Sequence, residues 1–216
     1  PRHLPPNFYY SQEDYLLEAQ QGKDWDWVLV RPDVVCGFSV GSPMNLVNII
    51  AVYASLCARF RVPLSFPGGP LCYEALAQVT DAGLHAEAQV WAAETPDCAL
   101  KAYNITNGDL FRWKHLWPRI AAFFGLEPGE PASLSLSARL GDKGEAWKEL
   151  VQAHGLRPYS MEQLAGWGFG DYVFGCDFDV ISDLTRARQA GFHRVEDSAE
   201  MFLRQFERLR EERIIP

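Results

Sequence analysis

The chain has 216 residues, 48% hydrophobic and 22% charged, which suits a globular fold and excludes wholesale disorder. Its 20 basic and 28 acidic residues leave a net charge of −8 and no basic stripe for nucleic acid. No apolar run approaches the roughly 18–20 residues of a membrane span, so no membrane partner is expected.

The opening residues, Pro1-Arg2-His3-Leu4-Pro5-Pro6, read as a tail. Tyr9 to Gln21 has helical character, with Tyr10, Tyr15, Leu16 and Leu17 among Glu13, Asp14 and Glu18, and Gly22 as its stop. Trp27 to Val30 is a short strand that Arg31-Pro32 ends, with Val34-Val35 as its continuation. Gly37 to Pro43 is a loop of small residues, and Asn45 to Phe60 a long apolar helix. Leu64 to Phe66 is a strand before the turn Pro67-Gly68-Gly69-Pro70. Thr80-Asp81 opens a helix to about Glu94, and Ala102 to Ile105 is a strand closed by Asn107-Gly108-Asp109. Helices follow at Lys114–Phe124, Lys143–His154, Ser160–Tyr172, Ser182–Gln189 and Ser198–Arg213. This alternation predicts an α/β fold with short strands on a parallel sheet.

Five cysteines without a CxxC pair predict reduced, mostly buried thiols and a cytoplasmic protein. The five histidines are scattered, so no metal site is expected. No GxGxxG, GxxxxGK[ST] or GxSxG motif occurs. Gly166-Trp167-Gly168-Phe169-Gly170 has glycine spacing but follows no strand, and reads as helix. Two segments stand out for chemistry. In Asn7-Phe8-Tyr9-Tyr10, tyrosines open a helix, where the dipole favours a phenol poised to donate; two rings capping a helix start is the plainer alternative. In Arg31 to Ser39 a strand runs into a Gly-Phe-Ser loop, and ligands of open α/β sheets sit at such strand ends; a simple turn fits as well. Asn104 to Asp109 reads as a structural turn, and Trp113-Lys114-His115-Leu116-Trp117 as a helix start.

In chain order, these segments resemble the progesterone 5β-reductase/iridoid synthase-like enzymes, atypical extended short-chain dehydrogenase/reductases. The resemblance is carried by Asn7-Phe8-Tyr9-Tyr10 with Glu13-Asp14, Arg31-Pro32, Gly37-Phe38-Ser39, Met44-Asn45-Leu46, Phe66-Pro67-Gly68, Asn107-Gly108-Asp109 and Trp113 to Trp117. It implies the C-terminal portion of a Rossmann-type fold. Residues 1–40 would end the dinucleotide-binding domain, and 41–216 would form mainly a helical substrate lobe with segments returning to that domain.

The resemblance further implies a reductase that transfers hydride from NADPH, or alternatively NADH, to the β-carbon of a small enone or enal. Tyr10 would be catalytic, stabilising or protonating the enolate oxygen. Pro32, Asp33, Val34, Val35, Phe38 and Ser39 would meet the cofactor, and Met44, Trp167 and Phe169 the substrate. A homodimer is left open. Where ordinary short-chain dehydrogenases carry Lys four residues after the Tyr, this chain has Asp14. That disfavours a sugar-nucleotide epimerase or dehydratase, while the retained Tyr10 disfavours a non-catalytic sensor. Trp167-Gly168-Phe169 and Val40-Gly41-Ser42-Pro43 carry less bulk than the family pattern. The family's GxxGxxG loop and partner Lys do not occur in these 216 residues, so weak NADPH binding by this chain alone is expected.

Overall fold

The computed structural model describes residues 7–216; the proline-rich lead falls outside them. In chain order the elements are α1 (Phe8–Gln20), β1 (Val28–Pro32), β2 (Val35–Cys36), α2 (Leu46–Phe60), β3 (Leu64–Ser65), α3 (Pro70–Glu74), β4 (Leu76–Ala77), β5 (Thr80–Asp81), α4 (Ala82–Glu94), β6 (Lys101–Ile105), β7 (Phe111–Arg112), α5 (Trp113–Phe123), β8 (Pro128–Gly129), α6 (Leu136–Leu140), α7 (Gly144–His154), α8 (Met161–Leu164), α9 (Trp167–Phe174), α10 (Thr185–Gln189) and α11 (Ser198–Glu211).

The strands form pairs. β1 runs parallel to β6 from Val28 opposite Lys101 to Pro32 opposite Ile105. The strand expected to stop before Arg31-Pro32 therefore continues through both. Proline is tolerated there because β1 pairs on one side only among the described residues, as an edge strand does. β2 pairs parallel with β5 and β3 with β8, while β4 and β7 are antiparallel. These two-residue strands are too short to leave a period-2 pattern, and most were not expected.

α2 is the centre of the molecule. Twelve consecutive residues, Leu46 to Cys57, are buried, as a helix apolar on every side must be. One large core joins it to α5, α7, α8, α9 and α11. Phe66 sits at its aromatic centre, 5.2 Å from Trp117 and 5.3 Å from Phe174, both edge-on. A second, smaller core of Leu84, Ala88, Cys98, Tyr103, Ile105 and Ala187 lies between α4, β6 and α10.

The single helix expected over Ser160–Tyr172 is two helices. Gly166 lies so close to the Pro43 carbonyl that a Cβ there would collide with it, and this approach breaks the helix between α8 and α9. Gly170 brings α9 down on Ile49 and Leu136, where a Cβ would come within 2.9 Å of each. These two glycines thus serve helix packing. Pro70, expected in a turn, is instead the first residue of α3, a position suited to its fixed φ and missing N–H.

Candidate active site

β1 delivers the chain to Asp33 and Val34, where one hydroxyl joins two strand pairs. The Thr80 Oγ1 accepts from the Asp33 N–H at 3.2 Å and donates to the Ile105 carbonyl at 3.2 Å. The Thr80 N–H donates to the Val34 carbonyl at 2.8 Å. Asp33 Oδ1 accepts from the Val34 N–H at 2.8 Å, whereas Oδ2 is sealed from solvent and has no protein partner. Burial pushes the Asp33 carboxyl above the usual range, and the Val34 N–H only partly offsets this.

The following loop is tied to the N-terminus of α2. Asn45 Oδ1 caps that helix by accepting from the N–H groups of Val47 and Asn48. Its Nδ2 donates to the Gly37 carbonyl at 2.8 Å and to the Ser39 hydroxyl at 2.9 Å. Asn48 Nδ2 donates to the Ser39 carbonyl at 2.7 Å. Gly37 passes so near Ala82 that a Cβ would sit 2.6 Å from the alanine's own. Phe38 packs on the large core, with the Arg208 guanidinium 4.5 Å above its ring. The six residues expected to meet a cofactor therefore divide: Pro32 and Val35 are exposed, Asp33 and Val34 line a cavity, and Phe38 and Ser39 are held by the lobe.

Asn7 caps α1 by accepting from the Tyr9 N–H at 3.0 Å. No residue of this helix is buried; Phe8 and Tyr9 are 64% and 58% exposed. Tyr10 and Glu13 are half-buried and three residues apart, so they share one sheltered side, while the half-buried Leu16 and Ala19 fall progressively round the helix. Glu13 holds Arg31 at 2.8 Å and thereby joins that side to β1.

A cavity of about 160 Å³ opens beside Asp33 and Val34. Its other walls come from Cys72, residues 75–79, Trp113 and the stretch from Tyr172 to Val180. Burial pushes the Cys72 thiol up to about 12 and raises that of Cys176 as well, so both are poor nucleophiles. All five cysteines are free and four are buried. Met44, Trp167 and Phe169 do not line this cavity. Met44 is 58% exposed and Trp167 is buried in the core. Phe169 stacks on Tyr172, a wall residue, at 6.3 Å. Sequence reasoning missed Trp113 and most of the 172–180 wall. The signal was weak: apolar Val173, Phe178 and Val180 straddle a helix end and fit no period.

The segment Asn104 to Asp109 is a clamp. Asn107 accepts from the Asp81 N–H at 2.6 Å and donates to the Ser198 hydroxyl at 3.1 Å, and Ser198 donates to Asp109 at 2.7 Å. Asp81 and Asp197 cap α4 and α11 beside it. In the Trp113–Trp117 string both tryptophans are core, and Lys114 pairs with Glu74 at 2.5 Å. Among the described residues no three His, Cys, Asp or Glu side chains gather as metal ligands, and no helix is long and apolar enough to cross a membrane.

Two solved structures are similar in fold. A UDP-N-acetylglucosamine 4-epimerase from Methanobrevibacter ruminantium matches at TM-score 0.58 and 14% identity, over 98% of this chain and 56% of that one. RMD from Pseudomonas aeruginosa, solved with NADPH, matches at TM-score 0.54 and 16% identity, over 95% and 58%. The fold is thus a mixed α/β one that both structures share. The chain belongs to the PRISE-like Rossmann-fold domain family, whose model matches residues 4–216. Curated relatives include an (S)-8-oxocitronellyl enol synthase of Camptotheca acuminata, 36% identical over all of this chain and 56% of its own length. A 3-oxo-Delta(4,5)-steroid 5-beta-reductase of Arabidopsis thaliana is 34% identical, over all of this chain and 59% of its own length. The chain thus spans little more than half the length of these relatives.

Proposed function

We propose that the chain belongs to an oxidoreductase that reduces the activated C=C bond of a small enone or enal, with NADPH as cofactor and NADH as the alternative. The observation that carries this reading is the position of Tyr10. It is the second tyrosine of the family motif and lies on the sheltered side of α1, one turn from Glu13, which grips the strand leading to Asp33. Hydride addition to a β-carbon leaves negative charge on the carbonyl oxygen. A phenol O–H held at that oxygen stabilises the charge as it develops and can deliver a proton.

The strand end suits the cofactor's nicotinamide ring. Pro32 and Val35 offer an exposed apolar surface at the C-terminal end of parallel strands, where ligands of such sheets bind. When bound, the cofactor supplies the hydride. Asp33 and Val34 connect that surface to the cavity, and Phe38 and Ser39 fix the loop through Arg208 and Asn45. Phe169 would extend the substrate wall through its stacking on Tyr172, and Met44 and Trp167 would act on the substrate from outside the cavity lining. The reading keeps the division at residue 40, a cytoplasmic setting and no nucleic-acid or membrane partner, and leaves a homodimer to sedimentation measurements. Asp14 in place of a lysine argues against epimerase chemistry.

The test is NADPH oxidation by the full-length protein with 2-cyclohexen-1-one. Tyr10→Phe should lower turnover about a hundredfold or more. Undiminished turnover in that variant refutes the role of Tyr10. No turnover with any enone or enal refutes the reading.

A further inference from the structure

Trp113, the first residue of α5, is both a core tryptophan and part of the wall of the cavity beside Asp33 and Val34. An indole N–H is a donor only, and when buried it needs an acceptor. Two other core tryptophans find theirs in the backbone: Trp117 Nε1 donates to the Leu64 carbonyl at 2.8 Å and Trp147 Nε1 to the Tyr159 carbonyl at 3.0 Å. Trp167 Nε1 is sealed from solvent and unpaired. Trp113 differs from all three. Its N–H has no partner among the described residues, yet it is not one of the sealed, unpaired atoms, so it keeps accessible surface. The residue as a whole is only 3% exposed and lines the cavity, so that surface opens into the cavity.

The other polar side chains of the wall are engaged, sealed or open to bulk water. Gln78 is held at both ends: Nε2 donates to the Asp109 carbonyl at 3.2 Å and Oε1 accepts from the Ser182 N–H at 2.7 Å. The Cys72 thiol faces the Val173 carbonyl at 4.0 Å, and the Cys176 thiol donates to the Tyr172 carbonyl at 3.5 Å. Asp33 Oδ2 is sealed from solvent. The Tyr172 hydroxyl also lacks a protein partner, but that residue is 69% exposed and water serves it. The Trp113 ring is gripped edge-on by Phe111 at 5.1 Å and by Phe174 at 5.3 Å. The direction of its N–H is therefore set before any ligand arrives.

We propose that Trp113 Nε1 is a substrate-binding donor of this cavity, and that it holds the carbonyl oxygen of a ligand whose frame is otherwise apolar. The chemistry follows from the inventory of donors and acceptors. A carbonyl only accepts and so complements a group that only donates. A hydrocarbon leaves the N–H unpaired, and a protonated amine brings only further donors. Val34, Leu76, Val79, Val173 and Val180 supply the apolar surroundings. The proposal rests on reading the cavity as the substrate site of the proposed reductase, whose enone or enal brings that oxygen.

The test measures binding, so that it can fail independently of turnover. The full-length protein is titrated with cyclohexanone and with methylenecyclohexane, its hydrocarbon counterpart. Neither is an enone, so neither adds to the thiols of Cys72 and Cys176. Methyl resonances of Val34, Val79, Val173 and Val180 report occupancy, and the indole N–H resonance of Trp113 reports the bond. That resonance, assigned by its loss in Trp113→Phe, should move downfield with the ketone and not with the hydrocarbon. Trp113→Phe should weaken the ketone about fivefold and change the hydrocarbon by less than about twofold. A thermal melt checks that the variant folds; where it does not, the indole shift in the unmodified protein decides. The proposal is overturned by an indole resonance that ignores the ketone, the N–H then being served by water alone, by equal weakening of both ligands, or by no methyl shift with either. A ketone bound at Trp113 in a protein that reduces no enone leaves the proposal standing and removes the reductase reading instead.

Discussion

Helices α1 and α2 are close in length, thirteen and fifteen residues, and both open on an asparagine cap. α2 buries twelve consecutive residues, and α1 buries none. Local signals make both helical, but only the second is apolar all round, and tertiary packing supplies most helix stability in proteins. α1 is held through polar ties: Glu13 to Arg31, and Gln20 Nε2 to the Trp25 carbonyl at 3.2 Å. The helix proposed to carry the chemistry therefore contributes no buried residue to the core that carries the stability.

The strongest challenge to that contrast is at the core. Trp117 is fully buried, and its Nε1 donates to the Leu64 carbonyl at 2.8 Å. Trp117→Ala should destabilise the chain by about 3–5 kcal/mol in denaturant titrations, whereas Tyr10→Phe, on a helix with no buried residue, should cost about 1 kcal/mol or less. A comparable loss from both would break the contrast. The two caps sharpen it. Asn45→Ala removes a helix cap and releases Gly37 and Ser39, for a loss of about 1–2 kcal/mol or more. Asn7→Ala should cost about 0.5 kcal/mol, the low end for a cap, because the helix it starts has no buried residue. Glu13→Gln breaks a partly exposed ion pair and should change stability by less than about 1 kcal/mol. The same change should lower turnover of the full-length protein by loosening the side of α1 that bears Tyr10.

Two aspartates extend the comparison to pH. Burial raises the Asp171 carboxyl, but the hydroxyls of Ser137 and Ser135 and the N–H groups of Leu136 and Ser137 outweigh it and hold the group below its ordinary value. Its contribution is complete above the ordinary carboxylate range and is lost as pH falls through the folded value. Asp33 is shifted upward, so its contribution is present at low pH and is lost as pH rises through its folded value. Asp33→Asn and Asp171→Asn should therefore alter the acidic limb of the stability curve in opposite senses, as read from denaturant midpoints across the acidic range. A change of the same sign in both would contradict these environments.

The long periodic elements were legible in the residues. Asn45 to Phe60 announced α2 by its apolar run, and Asp81 announced α4 as its cap. The helix Leu136–Leu140 and the β3–β8 and β4–β7 pairs were not legible, because pieces of two to five residues carry no period and depend on distant partners. The break at Gly166 depends on Pro43, 123 positions earlier in the chain, and no local pattern encodes that approach. The site divides in the same way. Asp33 and Val34 were marked by their strand end, but the wall from Trp113 and Tyr172 to Val180 is assembled only by packing α9 against the lobe.

Thr80 has one further consequence. Because its hydroxyl accepts from the Asp33 N–H and donates to the Ile105 carbonyl, the peptide plane between Pro32 and Asp33 cannot turn over without breaking the first of these bonds. The strand tip is therefore a stop rather than a hinge. A ligand at the proposed site would meet a backbone whose orientation is already set from the neighbouring strand pair, and adjustment to fit would fall to the ligand and to the side chains of the 172–180 segment.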